Sequence, residues 1–262
     1  MKKALSLILA LVMALGVTTV AFAGGDAGFY VNVAIADSKG VLQIAYGTVW
    51  VIDADEDGAY TVNDALYCAH NSYYKGGAAA GYESAKAEGY DGLSLKKLWG
   101  ETNNGSFGYY VNDKSSWSLL DPVKEEDYVY AFCYQDKSYW TDTYSYFDKK
   151  IVESEEATEV ELTLSMLAWN ADYSAQEVAP VKGAEITIDG EKTGIKTDEN
   201  GKAKVSVDSA CVISAASPEG SIITPPVCNV DIPEELSFFA KIINAITSFF
   251  NSIIDFFRGL FA

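Results

Sequence analysis

Residues 53–64 read Asp-Ala-Asp-Glu-Asp-Gly-Ala-Tyr-Thr-Val-Asn-Asp, and no other stretch restricts the folding of this chain as tightly. Asp53, Asp55 and Asp57 alternate, Gly58 follows them, and Asp64 closes the run. Carboxylates crowded in this way repel one another unless a cation sits among them. A hard cation takes about six to eight oxygens, and a short loop supplies them only by curling round the ion. The spacing therefore nominates a Ca2+ site. Asp53, Asp55 and Asp57 give side-chain oxygens, Ala59 gives its backbone carbonyl, Thr61 ligates directly or through water, and Asp64 closes the shell. Gly58 permits the sharp turn. A purely local account also stands. Thr61-x-x-Asp64 is a capping box with Asp in its last position, and Asp57-Gly58 is an ordinary turn signal.

The flanks say what the loop connects. Residues 29–36 alternate as a strand, with Phe29, Val31, Val33 and Ile35 on one face. Asp37 to Gly40 is a turn, and Val41 to Ile52 reads as the returning strand of a hairpin. Val62 to about Tyr74 carries a helical pattern, with Ala65, Leu66, Ala69 and Tyr73 on one face. The loop thus joins a strand to a helix. Gly76 to Gly81 breaks that helix, and an apolar cluster follows at Leu93, Leu95, Leu98 and Trp99. Phe107 to Asp113 reads as a strand ending in a turn, and Tyr128 to Tyr134 as another strand. The order strand, strand, helix, strand, strand predicts a β-grasp-like sheet crossed by one helix. Glu159–Ser165, Gly183–Gly190 and Lys202–Val207 then read as short strands. Thr197 to Gly201 between them reads as a turn, so Asp198 and Asn200 are turn residues and not metal ligands.

The two ends differ in character from the middle. Residues 1–23 have a basic start, an apolar core from Ala4 to Val20 and an Ala-Phe-Ala cleavage signal, so export is expected. Loss of Lys2 and Lys3 takes the formal charge from −18 to −20. Such a chain repels nucleic acid and anionic headgroups, and nucleic-acid binding is excluded on that ground. Leu236 to Ala262 carries a wide apolar stripe that includes Phe239, Ile242, Ile246, Phe250, Ile253 and Phe257. Lys241, Asn244, Ser248, Asn251, Asp255 and Arg258 fall on the other side. Regular polar residues make a membrane span costly. The stripe suits an amphipathic helix at a membrane surface, at the cell envelope or against a second copy. Docking of that helix on the chain's own sheets is the local alternative.

Seventeen tyrosines and five tryptophans are a heavy aromatic load, read either as sheet core or as a ligand face. Export permits disulfides among Cys68, Cys133, Cys211 and Cys228. Cys211 and Cys228 are equidistant from Glu219-Gly220, so a two-residue hairpin turn there would set them opposite each other. Pro225 and Pro226 count against an uninterrupted ladder, and Cys68 with Cys133 would be the remaining pair. No nucleophile motif, P-loop or dinucleotide fingerprint is present, and His70 is the only histidine. A non-catalytic protein is expected.

"TVNDAL" opening a helix, then "GYYVND", then Asp127-Tyr-Val-Tyr-Ala-Phe132 resembles the transcobalamin-like C-terminal domain of secreted bacterial proteins. That resemblance covers roughly residues 27–150 and implies a cobalamin-like small-molecule ligand as the alternative function. The Asp in place of Glu at the twelfth position of the acidic loop resembles one EF-hand-like calcium loop of a dockerin, although dockerins need two loops and one is found. Residues 183–207 resemble immunoglobulin-like bacterial surface modules. The expected fold class is α+β, mainly β. Its organisation is a signal peptide at 1–23, a transcobalamin-like β-grasp-like domain at 24–152, an immunoglobulin-like β-sandwich at 153–232 and an amphipathic helix at 233–262. The expected function is that of a secreted, calcium-binding surface or adhesion protein.

Overall fold

The computed structural model describes residues 27–233, except 87–88, 90–91 and 173. The expected export signal at 1–23 and the amphipathic stripe from Leu236 onward lie outside the described residues. Within them the protein is mainly β.

The hairpin forms as its alternation predicts. Strands β1 (Gly28–Ala36) and β2 (Leu42–Ile52) pair antiparallel. Asp37 ties their turn, its Oδ1 accepting from the backbone N–H groups of Lys39 and Val41 at 2.8 and 3.0 Å. Helix α1 (Val62–Tyr73) then crosses this sheet and buries Val62, Ala65, Leu66 and Ala69 against it. Tyr73, expected on the same face, is only partly buried there. Gly76, at φ 96°, ends that run as expected. The next residues do not stay irregular: Gly77–Gly81 form a short helix α2, closed by Tyr82 N–H donating to the Ala78 carbonyl. A small hairpin, β3 (Glu83–Lys86) with β4 (Leu93–Lys97), follows.

Strands β5 (Phe107–Val111), β6 (Lys114–Ser115) and β7 (Tyr128–Cys133) complete the first sheet in the order β2-β1-β7-β5-β6. β7 lies parallel to β1. Both strands are covered on two faces, which is why Val129 to Cys133 read as a continuous apolar run instead of an alternation.

The chain then builds two facing sheets. The strands are β8 (Tyr144–Phe147), β9 (Ile151–Glu153), β10 (Thr158–Trp169), β11 (Gln176–Pro180), β12 (Glu185–Ile188), β13 (Glu191–Lys196), β14 (Lys202–Val207), β15 (Cys211–Ala216) and β16 (Cys228–Asp231). One sheet runs β11-β10-β14, with β8 also on β10; the other runs β13-β12-β15-β16-β9. Val160, Leu162 and Val205 of the first meet Ile186, Ile213 and Val230 of the second in one core. β8 and β9 pair with these C-terminal strands, although the 24–152 division groups them with the first sheet. The Thr197–Gly201 segment is a turn: Asp198 Oδ1 accepts the N–H groups of Asn200 and Lys202 at 2.8 and 2.9 Å.

The expected cysteine pairing is corrected. All four cysteines are free thiols. Cys211 stands opposite Val230, and Ile213 opposite Cys228, so the two cysteines are diagonal neighbours. The reason lies in the connection. Glu219 and Gly220 do turn, with Ser221 N–H on the Pro218 carbonyl at 3.3 Å, but the ladder does not resume until Cys228, because Ile223 to Val227, with both prolines, are buried in a separate crossing. Cys133 lies with its Sγ 4.0 Å from the Leu98 carbonyl. Burial pushes the thiols of Cys133, Cys211 and Cys228 up to about 12, so none is a ready nucleophile.

Leu66 is fully buried between α1 and the first sheet. Leu66→Ala is expected to cost roughly 2–5 kcal/mol, read as a lowered urea midpoint at unchanged slope.

Candidate metal centre

The acidic loop leaves β2 at Ile52 and enters α1 at Val62. Within it, one carboxylate oxygen from each of Asp53, Asp55 and Asp57 lies within 4.8 Å of the others. A single ion with oxygen ligands at about 2.3–2.6 Å can bridge that span. Backbone bonds curl the loop to this shape. Asp53 Oδ1 accepts from Asp57 N–H at 3.1 Å and its Oδ2 from Gly58 N–H at 2.8 Å. Asp57 Oδ1 accepts from Ala59 N–H at 2.9 Å. Gly58 takes φ 87°, the left-handed turn that its lack of a Cβ allows.

The charges are crowded. Partial desolvation, then the Asp64 and Asp57 carboxylates, hold the Asp55 carboxyl above its usual range. The donor set is all carboxylate oxygen, which suits a hard cation and not a soft thiophilic metal.

Two of the predicted ligands are placed differently. Asp64 is fully buried at the start of α1. Its Oδ1 accepts from Ala54 N–H at 2.9 Å, and its Oδ2 accepts from both the N–H and the hydroxyl of Thr61 at 2.9 and 2.7 Å. Thr61 Oγ1 in turn receives Asp64 N–H at 3.4 Å, which completes a capping box. Asp64 therefore reaches the triad as a neighbouring charge. Ala59 lies in the exposed part of the loop, its N–H on Asp57. The structure thus brings Asp53, Asp55 and Asp57 together and ties Thr61 and Asp64 into the helix start.

Asn63 is a member that the sequence reading passed over. Its amide Nδ2 donates to Asp55 Oδ2 at 3.2 Å, while its Oδ1 accepts from Tyr82 Oη at 2.8 Å and Ser84 Oγ at 2.9 Å. The signal was a polar side chain between the cap and the apolar face, on the side of the helix start that looks back at the loop.

His70 is buried among Tyr74, Tyr82 and Trp99. Trp99 N–H donates to Nε2 at 3.0 Å, so the ring proton sits on Nδ1 and is given to the Leu66 carbonyl at 2.6 Å. Burial lowers its pKa to about 4. Both ring nitrogens are used inside the protein, and the group is structural.

Compared with protein-family models, with characterised proteins and with solved structures, the chain gives no match.

The His70 shift has a sign that can be checked. The unfolded chain takes up this proton near pH 6.5, and the folded protein takes it up only near 4. Its contribution to stability is full above pH 6.5 and is lost as the pH falls from 6.5 to 4, by on the order of 3 kcal/mol. Urea unfolding at pH 7.5, 5.5 and 4.5 should show that loss, and His70→Gln should flatten this part of the curve.

Proposed function

We propose that this chain is a secreted, non-catalytic surface protein that holds Ca2+ in its 53–64 loop. The observation that carries the reading is the convergence of Asp53, Asp55 and Asp57 on one point, on the spacing of a calcium loop. Ca2+ is favoured over Mg2+ because Ca2+ accepts irregular coordination by a carboxylate-rich loop, whereas Mg2+ demands near-octahedral geometry and keeps its waters. Backbone carbonyls and water would complete the shell beyond the triad.

On this reading the expected 24–152 domain, drawn back to end before β8 because β8 pairs with β10, supplies a first, β-grasp-like unit of the transcobalamin-like kind. The order of its strands, its parallel central pair and its single long crossing helix are in keeping with that. The expected 153–232 domain, extended back to take in β8 and β9, supplies a second, immunoglobulin-like unit as a spacer, for which the two facing sheets speak. Attachment to envelope, membrane surface or a second copy is assigned to residues 233–262 on their sequence pattern alone. The alternative reading, a carrier of a cobalamin-like ligand, gains nothing from the aromatic cluster on the outer face of the first sheet. Tyr110, Tyr130 and Phe132 on the outer face of the first sheet are buried against Tyr144 and Val227 of the second unit.

The calcium reading is tested by thermal unfolding in chelator and in CaCl2. Ca2+ at a hundred times its dissociation constant should add about 2.7 kcal/mol. Asp53→Ala with Asp57→Ala should remove that response. Asp64→Ala should lower stability even in chelator, by about 1 kcal/mol or more, because the N–H groups of Ala54 and Thr61 lose their buried acceptor. A melting temperature that chelator leaves unmoved would make the loop an acidic turn.

The attachment reading has its own test. Truncation at Pro233 should yield a monomer with its calcium response intact, while the chain carrying 233–262 should bind vesicles or self-associate. Phe250→Glu with Ile253→Glu should reproduce the truncation.

A further inference from the structure

We infer that the ion pair between Lys150 and Asp113 is a clasp that makes the two β units one cooperatively unfolding body. Asp113 sits at the tip of the β5–β6 hairpin, where Asn112 and Asp113 take φ 49° and 61°. That turn holds its carboxylate out from the first unit. Lys150, just before β9, meets it with Nζ 2.8 Å from both oxygens. Tyr144 Oη of β8 donates to the same Oδ1 at 2.8 Å.

The ammonium is enclosed as well as paired. Its Nζ lies 5.7, 5.9 and 5.3 Å from the ring centroids of Tyr46, Tyr128 and Tyr146. Two of these rings come from the first unit and one from the second. The side chains of Lys150 and Asp113 are only 15% and 24% exposed. The Lys182–Glu199 pair, at 67% and 81%, is by contrast of the surface kind that contributes little.

The clasp borders a contact that already joins the units. Tyr110 of the first stacks on Tyr144 of the second at 3.8 Å and 8°. Tyr130 Oη donates to the Pro225 carbonyl at 2.7 Å, and Asn229 Nδ2 to the Ala45 carbonyl at 2.9 Å. Removing the ammonium leaves the Asp113 carboxylate half-buried without its counter-charge, at the edge of this contact, where water can enter. Coupling between the units should then fail before either core does. The inference is independent of the calcium site.

Calorimetry of the purified protein tests it. The wild type should unfold in one transition, with the van't Hoff and calorimetric enthalpies in a ratio of about 1. Lys150→Met should split that transition in two and bring the ratio to roughly one half. Lys182→Met, at the exposed pair, should leave it single. Should Lys150→Met fail to fold, native-state hydrogen exchange of the wild type decides. Amides of β7 and of β15 should open together, with one dependence on denaturant. Two transitions in the wild type, a single transition with unchanged ratio in Lys150→Met, or separate opening of β7 and β15 would each overturn the clasp.

Discussion

The burial of β1 on both of its faces over its C-terminal half, Val33 to Ala36, is the constraint from which the rest of the arrangement follows. Val31, Val33 and Ile35 face the helix, while Ala34 and Ala36 face the other way, and all five are buried. A strand with no wet face needs two covers. Helix α1 supplies one, and the second unit supplies the other through Tyr144 and Val227. Alanines at positions 34 and 36 leave room on that second face, and the space is taken by Tyr46, Tyr110, Tyr130 and Phe132. The small and large residues of the outer face are therefore two sides of one packing solution.

The acidic loop belongs to the same solution. A chain leaving β2 must turn away from the sheet plane to start a helix over its inner face, and a helix start needs its first N–H groups satisfied. Thr61 and Asp64 meet that need. Asp64 also accepts from Ala54 N–H, which ties the beginning of the loop to the beginning of the helix. With both ends fixed, the intervening residues have little choice but to bulge outward, and their carboxylates come together. The cap and the charge cluster are thus built by different residues of one twelve-residue pattern: Thr61 and Asp64 shape the loop that Asp53, Asp55 and Asp57 line.

Legibility in the sequence followed the range of the interactions. β1, β2 and α1 stood out because their patterns have the period of the element, β5 and β7 as aromatic-rich runs next to turn signals, and Lys202 to Val207 alternates so strictly that β14 has the expected bounds. The charge triad was legible from spacing alone, and the capping box was visible as the competing account of Thr61 and Asp64. What was hidden depended on partners far along the chain. α2 is a run of Gly and Ala with no periodic signal. The pairing of β8 with β10 sets which unit Tyr144 to Phe147 belong to, and nothing local announces it. The Cys211 register was misjudged because symmetry about Glu219-Gly220 is local, whereas the burial of Ile223 in the core of the two facing sheets and of Val227 against the first sheet is not.

The tyrosine content has the same long-range origin. Tyr30, Tyr67 and Tyr139 are exposed, but Tyr46, Tyr110, Tyr130 and Tyr144 are buried where the units meet. Phenylalanine would fill that space equally well, so the hydroxyls need a reason. The segment that crosses the first sheet carries Pro225 and Pro226, which have no N–H and cannot join a ladder. The carbonyl of Pro225 would be left without a donor in an apolar contact, at a cost of about 1–3 kcal/mol. Tyr130 supplies that donor from the opposing sheet. Tyr144 does the same for Asp113, and Gln176 Nε2 reaches Tyr110 Oη at 3.3 Å. Burial raises the Tyr130 and Tyr144 phenols well above their usual range, so these hydroxyls stay protonated and keep donating. The aromatic bodies fill the join between the units, and their polar tips satisfy groups that an irregular, proline-bearing strand crossing leaves open.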